Sequence, residues 1–370
     1  MEAMEIEQLF DGLYKNKTVL ITGHSGFKGS WLALWLHHLG AKVVGYSLGA
    51  PTVPSHAALL QLPIPSVTGD IRRKEDLEKT LSTYRPDMVF HMAAQPLVRY
   101  SYKHPHETFE TNAMGTVNLL EAIRKTGIVK AVINVTTDKC YENKEQRHGY
   151  CENDPLGGHD PYSASKACSE LVSSAYRSSF FSGNENGASG ALLLATARAG
   201  NVVGGGDWAG DRLVPDVMRA VSQGQSVLIR NPNAARPWQH VLEPLSGYLH
   251  LGWKLLQGNR SYAEAWNFGP AEKTAIPVAE VLSLLKNEWP AIRYQVAEDP
   301  APLHETQMLP LDCAKANRKL DWHPVWTVEQ GFKRTAAWYK NYYEAHRLNS
   351  LEDLKDYVRD AREKKIAWAA

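Results

Sequence analysis

Tyr162 and Lys166 stand four residues apart, so on a helix a phenol and an ammonium share one face. An ammonium beside a phenol lowers the phenol's pKa and makes a usable base from a group that titrates near ~10 unperturbed. The helix start is written in the same residues: Asp160 suits the N-cap and Pro161 the first helical position. Tyr162 then falls in the first turn, where the positive end of the helix dipole further favours a phenolate. Upstream, Thr136-Thr137-Asp138-Lys139 brings hydroxyls, a carboxylate and an amine to a strand end. Together these groups point to proton transfers at several atoms of one substrate, coupled to a redox step.

Redox chemistry requires an acceptor. Lys17-Thr18-Val19-Leu20-Ile21-Thr22 reads as a buried parallel strand, and it runs into Gly23-His24-Ser25-Gly26-Phe27-Lys28-Gly29 ahead of a helical pattern. Glycines at that junction let backbone N–H groups approach a pyrophosphate, and the helix N-terminus stabilises its charge. The spacing is G-x-x-G-x-x-G, a variant of the dinucleotide fingerprint. After the second strand, Lys42 to Ser47, an acidic residue would select NAD by holding the ribose; Tyr46 and Ser47 stand there instead. This position therefore leaves NAD and NADP both open. Asp70, after a third strand, is placed to address adenine.

The elements that must position these groups alternate. A Pro-rich stretch from Pro51 to Pro65 reads as surface loop, then come a helix at Lys74–Thr83, a strand at Met88–Met92, a long helix through Thr111–Glu121 and a strand at Ala131–Val135. A helix from Tyr162 to about Phe180, a polar turn at Ser182–Gly187 and a strand at Ala191–Arg198 follow. Such alternation implies an α/β, doubly wound parallel sheet with helices on both faces, which binds ligands beyond the carboxyl ends of its strands. Gly23, Asp70 with Ile71, Ala93-Ala94-Gln95 and Thr136-Thr137-Asp138 all fall at such ends. Residues 1–195, with 238–268 returning to them, are expected to form the dinucleotide-binding domain, and 196–237 with 269–370 a smaller mixed α/β substrate lobe. The tail from Leu351 reads as a solvated helix or a subunit contact.

With 370 residues the chain can bury a sizeable core. Lys+Arg 41 against Asp+Glu 40 gives no electrostatic reason to expect nucleic acid or an anionic membrane. No apolar run reaches the length of a membrane span, and the N-terminal residues are not a signal peptide. Cys140, Cys151, Cys168 and Cys313 lack metal-ligand spacing and read as free thiols in a reducing cytoplasm, and the histidines are scattered; no metal site is expected.

The glycine turn, Thr137-Asp138 and the Tyr162/Lys166 pair together resemble the extended short-chain dehydrogenase/reductases, most closely the sugar-nucleotide 4,6-dehydratases. The resemblance runs from about Lys17 to Trp338 and is sharpened by His91 to Val98, Arg198 to Trp208, Arg212 to Asp216 and Arg236 to Val241. It points to the branch whose substrate is a CDP-hexose, a choice of base that the residues themselves do not make. It implies that Gly23, His24, Gly26, Phe27, Gly29, Asp70, Ile71, Ala93, Ala94, Thr136, Tyr162 and Lys166 hold NAD. Tyr162 would deprotonate the sugar 4-hydroxyl as hydride passes to NAD, with Lys166 holding the phenolate and Thr137 the 4-oxygen. Water would leave C6 with Asp138 as acid, and the hydride would return to C6. Arg236, Asn201 and Arg212 would hold the diphosphate, with Gln95 as a further substrate contact. Where many relatives carry Glu, this chain has Lys139. As base for the C5 proton it would need a pKa lowered by roughly 3 units from ~10.4; otherwise it is a cation facing the enolate. The resemblance also implies a homodimer or homotetramer, and a role in supplying deoxysugars for bacterial surface polysaccharide. A nucleotide-sugar 4-epimerase on the same fold is the rival reading.

Overall fold

The computed structural model describes residues 6–144, 146, 148–182, 192–229, 231–271, 275–297 and 309–370, so the turn expected at Ser182–Gly187 lies, beyond Ser182, outside them. The strands are β1 (Thr18–Thr22), β2 (Lys42–Ser47), β3 (Ser66–Thr68), β4 (Met88–His91), β5 (Ala131–Val135), β6 (Leu193–Ala199), β7 (Asn201–Val203), β8 (Ser226–Ile229), β9 (Ala235–Arg236), β10 (Trp238–His240), β11 (Ala265–Phe268), β12 (Ile276–Pro277) and β13 (Arg293–Val296). The helices are α1 (Phe27–His38), α2 (His56–Leu60), α3 (Lys74–Tyr84), α4 (Val98–Lys103), α5 (Pro105–Phe109), α6 (Gly115–Thr126), α7 (Pro161–Ser179), α8 (Leu213–Ser222), α9 (Leu242–Leu256), α10 (Val278–Glu288), α11 (Val328–Ala345) and α12 (Ser350–Glu363).

One sheet runs β11-β6-β5-β4-β1-β2-β3, with every pairing parallel. Residues of β4, β5 and β6 are buried throughout, as strands covered on both faces must be, which explains their largely apolar sequences. The order reverses between β1 and β4, and that switch point opens the crevice in which a doubly wound sheet takes its ligand. Three two-stranded ribbons, β10-β7, β12-β9 and β13-β8, lie outside this sheet.

Three expectations change. The Pro51–Pro65 stretch is not loop alone: it carries α2, whose His56 is buried, with Nδ1 2.8 Å from Ser30 Oγ and Nε2 2.8 Å from Ser350 Oγ. The long helix through Thr111–Glu121 is interrupted by a π-helical turn at Glu110–Met114. There Asn112 gives its amide to Gln95 O and Ser165 Oγ and accepts from Gln95 N, so the irregular turn fastens the loop after β4 to helix α7. Finally, the tail is not a solvated helix. Ser350, Asp353, Leu354, Tyr357, Val358 and Ala361 form a buried stripe at helical spacing on α12. Trp35 of α1 meets Tyr357 at 5.7 Å and Trp368 at 5.5 Å, ring centre to ring centre. The reason is legible in α1, where Trp31 to Leu36 are all buried: a helix apolar all round needs cover on its outer side too.

Candidate active site

At the end of β1, Gly23 adopts φ +78°, and a Cβ there would stand 2.7 Å from Ala93 N; at Gly29 it would stand 2.2 Å from Gly23 O. Only glycine permits this packing of turn, helix and neighbouring loop. Gly26 leads into α1 without a side-chain cap, and the amides of Phe27, Lys28 and Gly29 have no acceptor among the described residues. Uncapped N–H groups at a helix N-terminus are the cradle a pyrophosphate requires, so the residues present fit a dinucleotide.

Beside this cradle, His24 lies flat over Gly45, with Nδ1 3.1 Å from Ser47 Oγ and Nε2 2.8 Å from Ser66 Oγ. They line a pocket of about 230 Å³ that includes Thr68 and, among the described residues, carries no lysine or arginine. It occupies the place beyond β2 where the ribose-binding acid was missing. Hydroxyls and an imidazole suit a ribose diol; a 2′-phosphate would find no counter-charge there. Asp70, at the end of β3, has its carboxylate paired with Arg72 at 2.6 Å, which holds it below the usual range. Ile71 is buried against Gly115. Ala93 and Ala94 are half-buried in the loop after β4.

Across the crevice, the end of β5 turns into a 3₁₀ segment, Asp138–Cys140. Thr137 Oγ1 donates to Asp138 Oδ1 at 2.9 Å and accepts from Lys139 N at 3.3 Å. Asp138 is buried, and burial raises its pKa; the charges of Lys139 and Lys28 and the Thr137 hydrogen bond oppose that rise. Thr136 turns the other way, donating its hydroxyl to Glu170, so its side chain serves the interior rather than a cofactor. The Lys139 ammonium has no hydrogen bond or ion pair among the described residues.

Helix α7 starts as its residues require: Asp160 Oδ1 accepts from Ser163 N at 2.9 Å, and Pro161 opens the helix. Tyr162 and Lys166 are both buried. Against the expected lowering of the Tyr162 pKa, burial pushes it up to about 12, with Thr137 and the Arg212 charge opposing. Lys166 donates to Val135 O at 3.2 Å, and burial pushes its pKa down to about 8. For Tyr162, desolvation outweighs the hydrogen bond and the charge that favour the phenolate.

Of the expected diphosphate ligands, Arg212 stands at the head of α8, paired with Asp207 at 2.8 Å and close enough to Tyr162 to influence its charge. Asn201 is half-buried on β7, and Arg236, on β9, donates to Ala235 O at 2.9 Å. Gln95 differs from expectation: Nε2 donates to Leu97 O and Thr108 Oγ1, and Oε1 accepts from Leu97 N, so the amide is committed to its own loop. Gly204 and Gly205 pack against Val241 and the Trp338 ring, a turn rather than a second phosphate site.

Two features escaped the sequence reading. Lys28 reaches the same cleft as Asp138, Lys166 and Arg212; its place inside the glycine turn was the available signal. A buried ion pair, Arg198–Glu170 at 2.9 Å, accepts from Thr136 and Thr196 and donates to Tyr141, bracketing the Thr137–Lys139 segment from both sides. Glu170, four residues beyond Lys166 on one helix face, was its only trace in sequence.

The family model for GDP-mannose 4,6 dehydratase matches residues 20–335. The chain is 48% identical over 349 residues to the CDP-glucose 4,6-dehydratase of Salmonella typhimurium, covering 93% of this chain and 97% of that protein. Its fold matches the crystal structure of DesIV, a dTDP-glucose 4,6-dehydratase from Streptomyces venezuelae with NAD and TYD bound, at a TM-score of 0.72 and 25% identity, covering 89% of this chain and 100% of that one. It also matches a UDP-glucose 4-epimerase from Thermotoga maritima in fold, at a TM-score of 0.75 and 24% identity over 88% of this chain and 100% of that chain. Shared over that length, with a glycine cradle and a Tyr/Lys helix meeting at one switch point, the pattern makes this chain a member of the GDP-mannose 4,6-dehydratase family.

Proposed function

We propose that this chain converts CDP-D-glucose to CDP-4-keto-6-deoxy-D-glucose with loss of water, using bound NAD. The observation that carries the reading is a phenol and a buried carboxyl, Tyr162 and Asp138, facing one cleft in a chain 48% identical to a CDP-glucose 4,6-dehydratase. A 4-epimerase needs the phenol and Lys166 but has no hydroxyl to expel, hence no use for the carboxyl acid.

The Gly23–Gly29 turn and the His24/Ser47/Ser66 pocket would hold NAD, which when bound would supply the hydride acceptor for C4 and the hydride donor for C6. The chain's own residues handle protons and charge. Tyr162 takes the C4 hydroxyl proton; with burial pushing its pKa up to about 12, it depends on the Thr137 hydrogen bond and the Arg212 cation to favour phenolate. The resulting 4-keto group acidifies the C5 proton, and Lys139 receives that proton or, as a cation, stabilises the enolate. Asp138, driven towards its protonated form by burial, protonates the departing C6 hydroxyl. Arg212, Arg236 and Asn201 hold the diphosphate, for which a guanidinium offers bidentate contact.

The free thiols support work in a reducing cytoplasm. Leu171 on α7 and Met114 ahead of α6, 58% and 52% exposed, support assembly as a homodimer or homotetramer. The test is incubation with CDP-, dTDP-, UDP- and GDP-hexoses, with NAD or NADP. CDP-glucose deuterated at C4 is expected to give a dehydrated product carrying the label at C6. An inverted C4 with no water lost would establish the epimerase instead, and turnover of another nucleotide alone would overturn the choice of base.

A further inference from the structure

The phosphate cradle and the Tyr162/Lys166 pair leave one cation of the cleft unexplained. Lys28 is the second residue of α1, and both of its neighbours are fixed against protein. Phe27 lies 3.2 Å from where a Cβ on Gly204 would stand, and Gly29 is pressed on the Gly23 carbonyl. The Lys28 side chain is half-buried and lies within electrostatic reach of Asp138, Lys166 and Arg212. Among the described residues it has no hydrogen bond and no ion-pair partner. Two of those three neighbours repel it and one attracts it. A half-buried ammonium that no hydrogen bond or ion pair holds, placed beside two further cations, does little for the fold; an aliphatic side chain would serve it as well. Local rules broken in this way are characteristic of functional positions.

We propose that Lys28 is a positioning residue for the dehydration step, its ammonium stabilising the carboxylate left when Asp138 gives its proton to the departing C6 hydroxyl. The inference rests on the reading of Asp138 as the general acid. In that step the Asp138 O–H bond breaks, the enolate electron pair forms the C5–C6 double bond, the C6–O bond breaks and water leaves. Negative charge passes from the enolate to Asp138. A cation facing that carboxyl makes Asp138 the stronger acid.

The other groups facing Asp138 are Thr137 and Lys139 from its own turn, Cys140 next in the chain, Tyr162 from α7 and Tyr248 from α9. Of these, only Lys139 belongs to a cationic residue type. Burial and the Arg212 charge bring the Lys28 pKa down to about 8, which keeps it charged at neutral pH. Removing it raises the proton affinity of Asp138.

The test compares wild type with Lys28→Met, Lys28→Gln and Lys28→Arg. The two neutral variants are expected to move the alkaline limb of kcat up by about one pH unit and lower kcat several-fold, with KM changing less. Lys28→Arg, permanently charged, should restore the limb. Independently of turnover, the infrared carboxyl band lost in Asp138→Asn is followed against pH in unliganded protein; in the neutral variants it should persist to higher pH. An unmoved band together with an unmoved limb, in variants folded by circular dichroism, would overturn the role of Lys28. Full turnover in Asp138→Asn would instead overturn the acid reading on which it rests.

Discussion

Lys166 is buried, its ammonium bonded among the described residues to Val135 O alone, and its pKa falls from 10.5 to about 8. A lysine whose folded pKa lies below its unfolded value is penalised while charged: the penalty is full below pH 8 and vanishes as pH rises through the unfolded pKa near 10.5. Lys166→Met is therefore expected to stabilise the unliganded protein at pH 7 by up to about 3 kcal/mol while abolishing turnover. In urea titrations that lead should shrink steadily between pH 8 and pH 10.5. Lys139 poses a different question, because among the described residues its ammonium makes no hydrogen bond or ion pair. Lys139→Met should still reduce the cofactor on mixing with substrate, yet lose solvent-deuterium exchange at C5; normal turnover would exclude a catalytic role. Residue types and spacing identified both lysines and Tyr162, but not the charge state of any. The Tyr162 pKa rises rather than falls because desolvation depends on what covers a group, and covering is a tertiary property.

At the level of elements, helix α7 does more than present Tyr162 and Lys166. One turn further on, Glu170 enters the ion pair with Arg198 of β6, each side chain 3% exposed. Thr136 and Tyr141, either side of the acid segment, are tied to that pair. The helix carrying the base and the turn carrying the acid are thus fastened to one point. Arg198→Met leaves a buried carboxylate unpaired and should cost roughly 3–5 kcal/mol, read as a shift in urea midpoint. The double variant Glu170→Met/Arg198→Met should recover most of that stability, since paired removal leaves no orphan charge. It should not recover kcat, which is expected to stay about a hundredfold down because a displacement of 1 Å in the acid turn is enough for that loss. If kcat returned with stability, the pair would be structural only. Strand and helix positions were readable because apolar runs and cap residues are local signals. The Glu170–Arg198 contact joins residues far apart in sequence, and no local pattern encodes it.

Over the whole molecule, the C-terminal tail closes back on α1, the helix that follows the glycine turn. Trp368 is buried against Phe10 at 5.5 Å, Trp35 at 5.5 Å and Tyr357 at 5.9 Å, so the last residues and the N-terminal segment cover α1 together. His56 extends the contact, joining Ser350 at the head of α12 to Ser30 of α1. Trp368→Ala is expected to destabilise the protein by about 3–5 kcal/mol and to lower its melting temperature in calorimetry. A neutral result would mean that the tail is an ornament rather than part of the core.

Period-two and period-3.6 patterns, glycines at a strand end and Asp160-Pro161 ahead of Tyr162 determined the sheet, the cradle and the start of the reactive helix. These depend on backbone geometry and neighbours a few residues away. Only the tertiary structure decided that Lys28 shares a cleft with Asp138, that Gln95 is spent on its own loop, and that the tail is core. Each of those depends on which distant groups exclude water from one another, a quantity that no stretch of chain carries by itself.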